Sequence, residues 1–291
     1  MSSPKNQRKA YLFALLAVVL WSTVATAFKL TLRQLNFIDM LFYASWTSTF
    51  YLMLTVRLSD SWKLLKKPRT EWVLRSIVMG LINPFLYYLV LFKAYSLLPA
   101  QIAQPLNYTW PIALVVLSAI FLSEPITLRA MFALTVSFVG VIVISDAFHP
   151  EGHRFSTVGV LLAIGSAFLW AIYWILNLRD KRPSDLKLFM NFLAGSLFVT
   201  GVAFAFSSPL KVPLSGVLGS VYIGIFEMGA TFFVWLKALE LAENQAPIAN
   251  LIYLSPFISL IFIHFVLGET ILTTTVIGLL LILAGILLQK K

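Results

Sequence analysis

The chain contains no cysteine, which excludes disulfides, thiol catalysis and cysteine-ligated metals. Charge is sparse as well. Only 12% of the 291 residues are Asp, Glu, Lys or Arg, against about a quarter in soluble domains. Histidine occurs three times. His149 and His153 are four apart, but Pro150 and Gly152 between them favour a solvated loop over a helical metal site. No P-loop pattern is present, so direct ATP hydrolysis is not expected. No hydrophobic stretch holds two aspartates, and His264 has no evident companion, so an intramembrane enzyme is not expected either. The chain reads as a non-enzyme without metal or cofactor.

What is abundant is apolar sequence, 59% of the chain. A membrane-crossing helix needs about 20 mostly apolar residues. Stretches of that kind follow one another at 10–29, 38–57, 74–94, 100–122, 127–146, 157–178, 187–207, 215–238, 246–267 and 271–289. The pattern predicts an all-α integral membrane protein with ten transmembrane helices and the lipid bilayer as its surroundings. The first stretch is long for a signal-peptide core and lacks a convincing cleavage site.

The net charge of +10 gains its meaning from position. If the N-terminus is cytoplasmic, seventeen of the 22 Lys and Arg fall on the cytoplasmic side, and Lys29, Arg33, Lys93, Arg154 and Lys211 form the outer set. That bias places both termini inside. The basic clusters are read as topology determinants, and no nucleic-acid partner is expected.

The last part of the chain repeats the first. Leu122-Ser123-Glu124-Pro125-Ile126 returns as Leu267-Gly268-Glu269-Thr270-Ile271, 145 positions on, and the same offset carries Tyr108 to Tyr253, Pro111 to Pro256 and Gly140 to Gly285. An offset of 144 carries Gly80 to Gly224, Asn83 to Glu227 and Lys93-Ala94 to Lys237-Ala238. Leu20-Trp21 returns as Leu169-Trp170. The organisation is therefore a basic tail 1–9, a five-helix repeat 10–146, an external linker 147–156 and a second repeat 157–289. Five spans per half is an odd number, so the second half enters from the opposite face. Inverted repeats of this kind are a transporter signal, because the halves can rock about a site held between them.

Polar groups at mid-membrane depth mark cavities. Glu227 is the carboxylate nearest the middle of a span, and its repeat mate Asn83 is neutral. Glu227 is read as a binder of a substrate ammonium or as a proton-coupling group, with a structural carboxylate as the competing reading. Asn107, Tyr108, Trp110, Trp170, Tyr88 and Tyr253 are the further candidate cavity residues; aromatic faces hold planar or cationic substrates, but also fill belts and helix contacts. Lys93 and Lys237 are candidates for a gate or a carboxylate contact, or simply snorkel to the interface. Glu124 and Glu269 are read as acids favoured by the dipoles of the fifth and tenth helices. Pro111 and Pro256 read as mid-span hinges or kinks. Gly140, Gly278 and Gly285 suggest close packing, within the fold or in a dimer; monomer and homodimer both remain open.

Taken together, Leu20-Trp21-Ser22-Thr23, Ala94-Tyr95-Ser96-Leu97-Leu98-Pro99-Ala100, Pro111, Leu122-Ser123-Glu124-Pro125 and Gly140-Val141, followed by Phe168-Leu169-Trp170-Ala171, Pro256, Leu267-Gly268-Glu269 and Gly285, resemble the drug/metabolite transporter superfamily, in its EamA family. The resemblance spans nearly the whole chain. It implies a basket of ten helices around a central cavity lined by spans 1, 3, 4, 6, 8 and 9. Asn107-Tyr108-Thr109-Trp110-Pro111 is similar to a segment of an aromatic amino acid exporter in that family, which implies export of amino acids or related small-molecule substrates across a bacterial inner membrane. Multidrug or organic-cation efflux is the alternative.

Overall fold

The computed structural model describes residues 5–66, 69–122, 127–144 and 155–289, and every element among them is helical. The first copy of the Leu-x-Glu motif beyond Leu122, including Glu124, and the linker histidines His149 and His153 lie outside the described residues. Helix α1 (Gln7–Leu32) opens at Asn6, whose side chain accepts from Lys9 N. Helix α2 (Phe37–Leu58) opens at Asn36, which accepts from the Ile38 and Asp39 amides. Each cap pairs amides that a helix start leaves open. A 3-10 turn, Asp60–Lys66, precedes the third span.

The third span is α3 (Thr70–Gly80), a π-helical turn Leu81–Leu86, and α4 (Tyr87–Leu97). The fourth is α5 (Ala100–Asn107) and α6 (Trp110–Leu122). Helix α7 (Leu128–Ile144) closes the first half. The second half runs α8 (Thr157–Leu178), α9 (Ser184–Phe206), α10 (Leu214–Phe226) with α11 (Ala230–Leu241), then α12 (Gln245–Asn250), a 3-10 turn Leu251–Leu254, α13 (Ser255–Phe262), a π-helical turn Ile263–Leu267, and α14 (Thr273–Gln289). Among the described residues, five stretches are long and apolar enough to cross a membrane: Gln7–Leu32, Thr70–Leu97, Thr157–Asn177, Ser184–Phe206 and Leu214–Leu241. Shorter apolar helices, α2 and the α5–α6 pair complete ten spans.

The packing repeats across a pseudo-twofold axis. Helix α7 packs on α14 and α2 on α9, each against its own repeat mate. The contact of α1 with α11 is matched by that of α8 with α4, α1 with α13 by α8 with α6, and α2 with α10 by α9 with α3. Arg129, at the start of α7, donates to Leu288 O at the end of α14 at 2.6 Å, so these mates run antiparallel, as an inverted repeat requires.

Glycine sets the closeness of that packing. A methyl on Gly140 would sit 2.6 Å from Gly278 O, and one on Gly285 2.5 Å from Ala133 O. The small-residue faces that the sequence left open to either fold or dimer are thus spent inside the chain, between α7 and α14. The mates Gly80 and Gly224 do equivalent work: Gly80 meets the α9 backbone at Asn191 O, and Gly224 meets α2 at Ala44 O.

The interrupted spans are 3 and 8, and 4 and 9, two mated pairs. Pro111 and Pro256 are not mid-helix kinks: each is the second residue of the new helix after a break. A first-turn proline costs no hydrogen bond, because its missing N–H has no helical partner there.

Candidate functional site

The breaks place irregular backbone at the centre of the bundle. In span 3 the chain turns extended at Asn83 (φ −145°, ψ 121°) before Pro84 resumes helix. In span 8, α10 ends at Phe226 with Glu227 as its C-cap, and α11 restarts after Gly229 (φ −132°, ψ −96°). Carbonyls freed in a membrane must find internal partners. Thr231 Oγ1 donates to Phe226 O, and Ser48 Oγ, from α2, donates to Met228 O at 2.9 Å. Equivalent cross-half bonds support the other broken pair: Asn107 Nδ2 donates to Ser166 Oγ at 2.9 Å, and Ser22 Oγ to Ser255 O at 3.1 Å.

Between these breaks lies a cavity of about 620 Å³. Spans 1, 3, 4, 6, 8 and 9 contribute to its wall, and so does the start of α9, through Ser184, Lys187, Leu188 and Phe192. Glu227 and its mate Asn83 face this one space from opposite halves. Glu227 is the acidic group of the wall and Lys187 the basic one. Tyr88 donates its hydroxyl to Glu227 Oε1 at 3.3 Å. Trp170 is the hub of the aromatic lining. Its ring centroid lies 4.8 Å from Tyr87, 5.9 Å from Tyr173 in a stacked arrangement, 6.0 Å from Trp174 and 6.1 Å from Phe232. Its repeat mate Trp21 packs on Phe232 and Trp235 at 5.6 and 5.7 Å. The arrangement offers a cation or a planar ring one carboxylate and a set of aromatic faces.

The cavity has one open and one closed end. At one end its wall includes exposed Ser184 and half-buried Lys187; at the other it stops at buried Phe28, Leu91 and Tyr95. Phe28 packs edge-on against Tyr95 and Phe92 at 5.0 and 4.8 Å. Beyond them Lys29 Nζ donates to Tyr95 O and Leu98 O, and the Glu269 carboxylate accepts from the Ala100 and Gln101 amides. Glu269 therefore caps α5, a helix of the other half. Its own helix α14, which the sequence reading had it serve, receives Gln101 Oε1 at Leu272 N instead.

At the open end, the turn between α8 and α9 is anchored by Asp180 and Arg182, 2.6 Å apart and both buried. Arg182 also donates to Ser76 Oγ and Trp72 O on α3. Counted from sequence among the topology-determining charges, Arg182 is also a structural pin. Burial works against the charge of Asp180, but hydrogen bonds and charge from Arg182, with Arg75, hold its carboxyl below the usual carboxylate range.

The sequence pattern of the EamA-like transporter family matches residues 8–146 and, a second time, 157–289. The chain belongs to this family. Similar proteins include an "Uncharacterized transporter" of Archaeoglobus fulgidus, 27% identical over 96% of each chain, "Protein PecM" of Dickeya dadantii, 22% identical over 77% of this chain and 75% of that one, and a "Probable amino-acid metabolite efflux pump" of Salmonella typhimurium, 24% identical over 65% of this chain and 67% of that one. A solved structure described only as "Crystal structure of protein" shares the fold, with a TM-score of 0.64, 21% identity and coverage of 97% of this chain and 96% of that one.

In this EamA-like transporter, Asn83, Asn107, Tyr108, Trp110, Trp170, Glu227 and Tyr253 all line the cavity. Three candidates fall elsewhere. Tyr88 stands behind the wall, fully buried, and reaches the site only through Glu227. Lys93 holds its Nζ 4.9 Å over the Phe37 ring, and Lys237 pairs with Glu240 at 3.3 Å. Neither lysine is among the residues that line the cavity. Residues that the sequence reading passed over are Gln104, Asn177 and Lys187. Gln104 was findable, since it lies one turn before Asn107 on the same helical face. Lys187 was absorbed into the charge bias, and nothing in its local sequence marks it as facing a cavity.

Proposed function

We propose that the chain is a secondary transporter that exports a small metabolite, an amino acid with an aromatic or other neutral side chain, by alternating access of its two inverted halves. The observation that carries this is Glu227 at a helix break, in a closed-ended cavity whose wall is rich in aromatic and amide side chains. A half-buried carboxylate in the same cavity wall as Trp170 and Tyr87 suits an ammonium next to an apolar or aromatic body. The efflux-pump name of the Salmonella relative supports the substrate class. The bias of Lys and Arg supports a bacterial inner-membrane location with both termini cytoplasmic, so that the open end faces the cytoplasm, as loading for export requires. Glu227 binds the substrate ammonium or exchanges it for a proton during the cycle.

The same aromatic hub favours a second reading, efflux of organic cations, which need the carboxylate and the rings but no amino-acid group. Vesicle flux of labelled tryptophan, phenylalanine, threonine and an organic cation, with and without a pH gradient, tests both. Amino-acid flux that Glu227→Gln abolishes, or strips of its pH dependence, is expected. Absence of flux for all four compounds overturns the proposal, and full pH-sensitive transport by Glu227→Gln removes that residue from it.

A further inference from the structure

The cavity wall carries two opposite charges at different depths. Lys187 lies in the first turn of α9, three residues after exposed Ser184 and about 5 Å along the helix from its start. Glu227 follows α10, whose 13 residues carry the chain about 20 Å in from the opposite face. A molecule that enters by the open end therefore meets the lysine before the carboxylate.

The fold uses Lys187 only in part. Its Nζ donates to Asn177 O at 3.3 Å and to Asp180 O at 3.2 Å, at the end of α8 and in the turn beyond. A cation is favoured at a helix C-terminus, so these contacts help to hold the turn. An ammonium has three N–H donors, however, and the third has no protein partner among the described residues. Nor is its charge matched. The Asp180 carboxylate is taken up by the Arg182 amide, Nε and a terminal nitrogen, with Arg75 Nε at 3.5 Å. Two arginines thus already face the one carboxylate beside Lys187. The neighbouring Asn177 side chain is neutral and supplies no counter-charge. Among the described residues, no carboxylate stands within ion-pair distance of Lys187 Nζ.

From this arrangement we infer that Lys187 is a binding residue for the substrate's carboxylate at the open end, so that the pathway favours zwitterionic amino acids over cations that carry no acid. The inference rests on the transport reading above and chooses between its two substrate classes. A half-buried ammonium attracts a carboxylate and repels a bare cation on the way in. A zwitterion presents its carboxylate to Lys187 and, deeper in, its ammonium to Glu227. The two contacts follow one another, and no molecule has to touch both charges at once. An ion pair partly open to water changes an equilibrium by up to about fivefold, and salt weakens it.

The test uses the full chain in proteoliposomes with labelled phenylalanine and phenethylamine, which share the ring and the ammonium and differ in the carboxylate. Lys187→Gln is expected to raise the half-saturation concentration for phenylalanine about three- to fivefold and to leave that for phenethylamine unchanged or lower. Lys187→Arg keeps the charge and restores the phenylalanine value. Added salt weakens phenylalanine binding more than phenethylamine binding in the wild type, and Lys187→Gln removes that difference. An equal change for both substrates in Lys187→Gln assigns the lysine to the α8 turn alone and overturns the inference, as does an unchanged phenylalanine value. Flux of phenethylamine without flux of phenylalanine also overturns it, and leaves efflux of organic cations standing. No flux of either compound overturns it together with the proposed function. If a melting temperature shows that Lys187→Gln does not fold, the wild-type salt titration decides: equal salt sensitivity of the two substrates overturns the inference.

Discussion

Glu269 and Gln101 cap each other's helices across the two halves. The Glu269 carboxylate accepts from the Ala100 and Gln101 amides at 3.0 and 3.2 Å, and Gln101 Oε1 accepts from Leu272 N at 2.9 Å and from Thr275 Oγ1 at 3.1 Å. Gln101 Nε2 adds a bond to Thr270 O. The start of α5 and the start of α14 are thereby tied together over the closed end of the cavity. Under the alternating-access proposal, separating α5 from α14 to open that end would break these bonds.

Glu269→Ala is expected to shift the chain toward opening at that end. Losing a helix cap costs about 1 kcal/mol, which corresponds to about a fivefold change in an equilibrium. The chain has no cysteine, so Leu91→Cys, which faces the cavity near its closed end, is a clean reporter. An impermeant maleimide applied from the closed side should label it roughly fivefold faster in Glu269→Ala. An unchanged labelling rate would show that the reciprocal caps do not hold this end shut.

The glycine seam predicts a stability effect without a direct transport contact. Gly278→Val pushes a side chain into Gly140 O and Ile144. Overpacking of this kind costs about 1–3 kcal/mol, and a lower melting temperature in detergent is the expected result. Gly165→Ala is the control, since its added methyl meets open space.

Asp180→Asn should be more damaging than its surface-loop position suggests. It leaves the Arg182 guanidinium, 4% exposed, without its ion-pair partner, a change that costs roughly 3–5 kcal/mol in buried pairs. Asp180→Asn combined with Arg182→Met should recover part of the loss. The pair also sets a pH dependence. The folded carboxyl is held below its unfolded value of about 3.9, so its stabilisation is present above about pH 4 and is lost as pH falls through the lowered value. Melting temperatures between about pH 5 and pH 3 should show that loss in the wild type and lack it in Asp180→Asn.

Trp170→Ala is expected to raise the half-saturation concentration for an aromatic substrate by about three- to tenfold, the range of an aromatic pair contact, with a smaller effect on threonine. Trp170→Phe should fall between. Equal effects on both substrates would assign Trp170 to packing alone.

Much of the architecture was legible in the amino-acid order, because in a membrane length and apolarity leave few alternatives. The repeat offsets fall on equivalent packing in the two halves: Gly140 matches Gly285 and Gly80 matches Gly224. Seven of the eight cavity candidates do line one cavity. Tyr88 misled because the rotation of α4 turns Tyr87, not Tyr88, toward the space. Lys187 and Arg182 misled in the other direction: a count of charges per loop carries no information on which of them fold inward.

The sequence alone determined that the chain lies in a membrane, that it has two mated halves, and that its mid-span polarity is asymmetric at Asn83 and Glu227. Hydropathy, span count and residue identity are one-dimensional properties, and they suffice for that. Only the tertiary structure decided that spans 3, 4, 8 and 9 break and that Glu269 caps a helix of the opposite half. Those outcomes depend on which groups from distant parts of the chain arrive at the same place, and hydrogen bonds act only over about 3 Å.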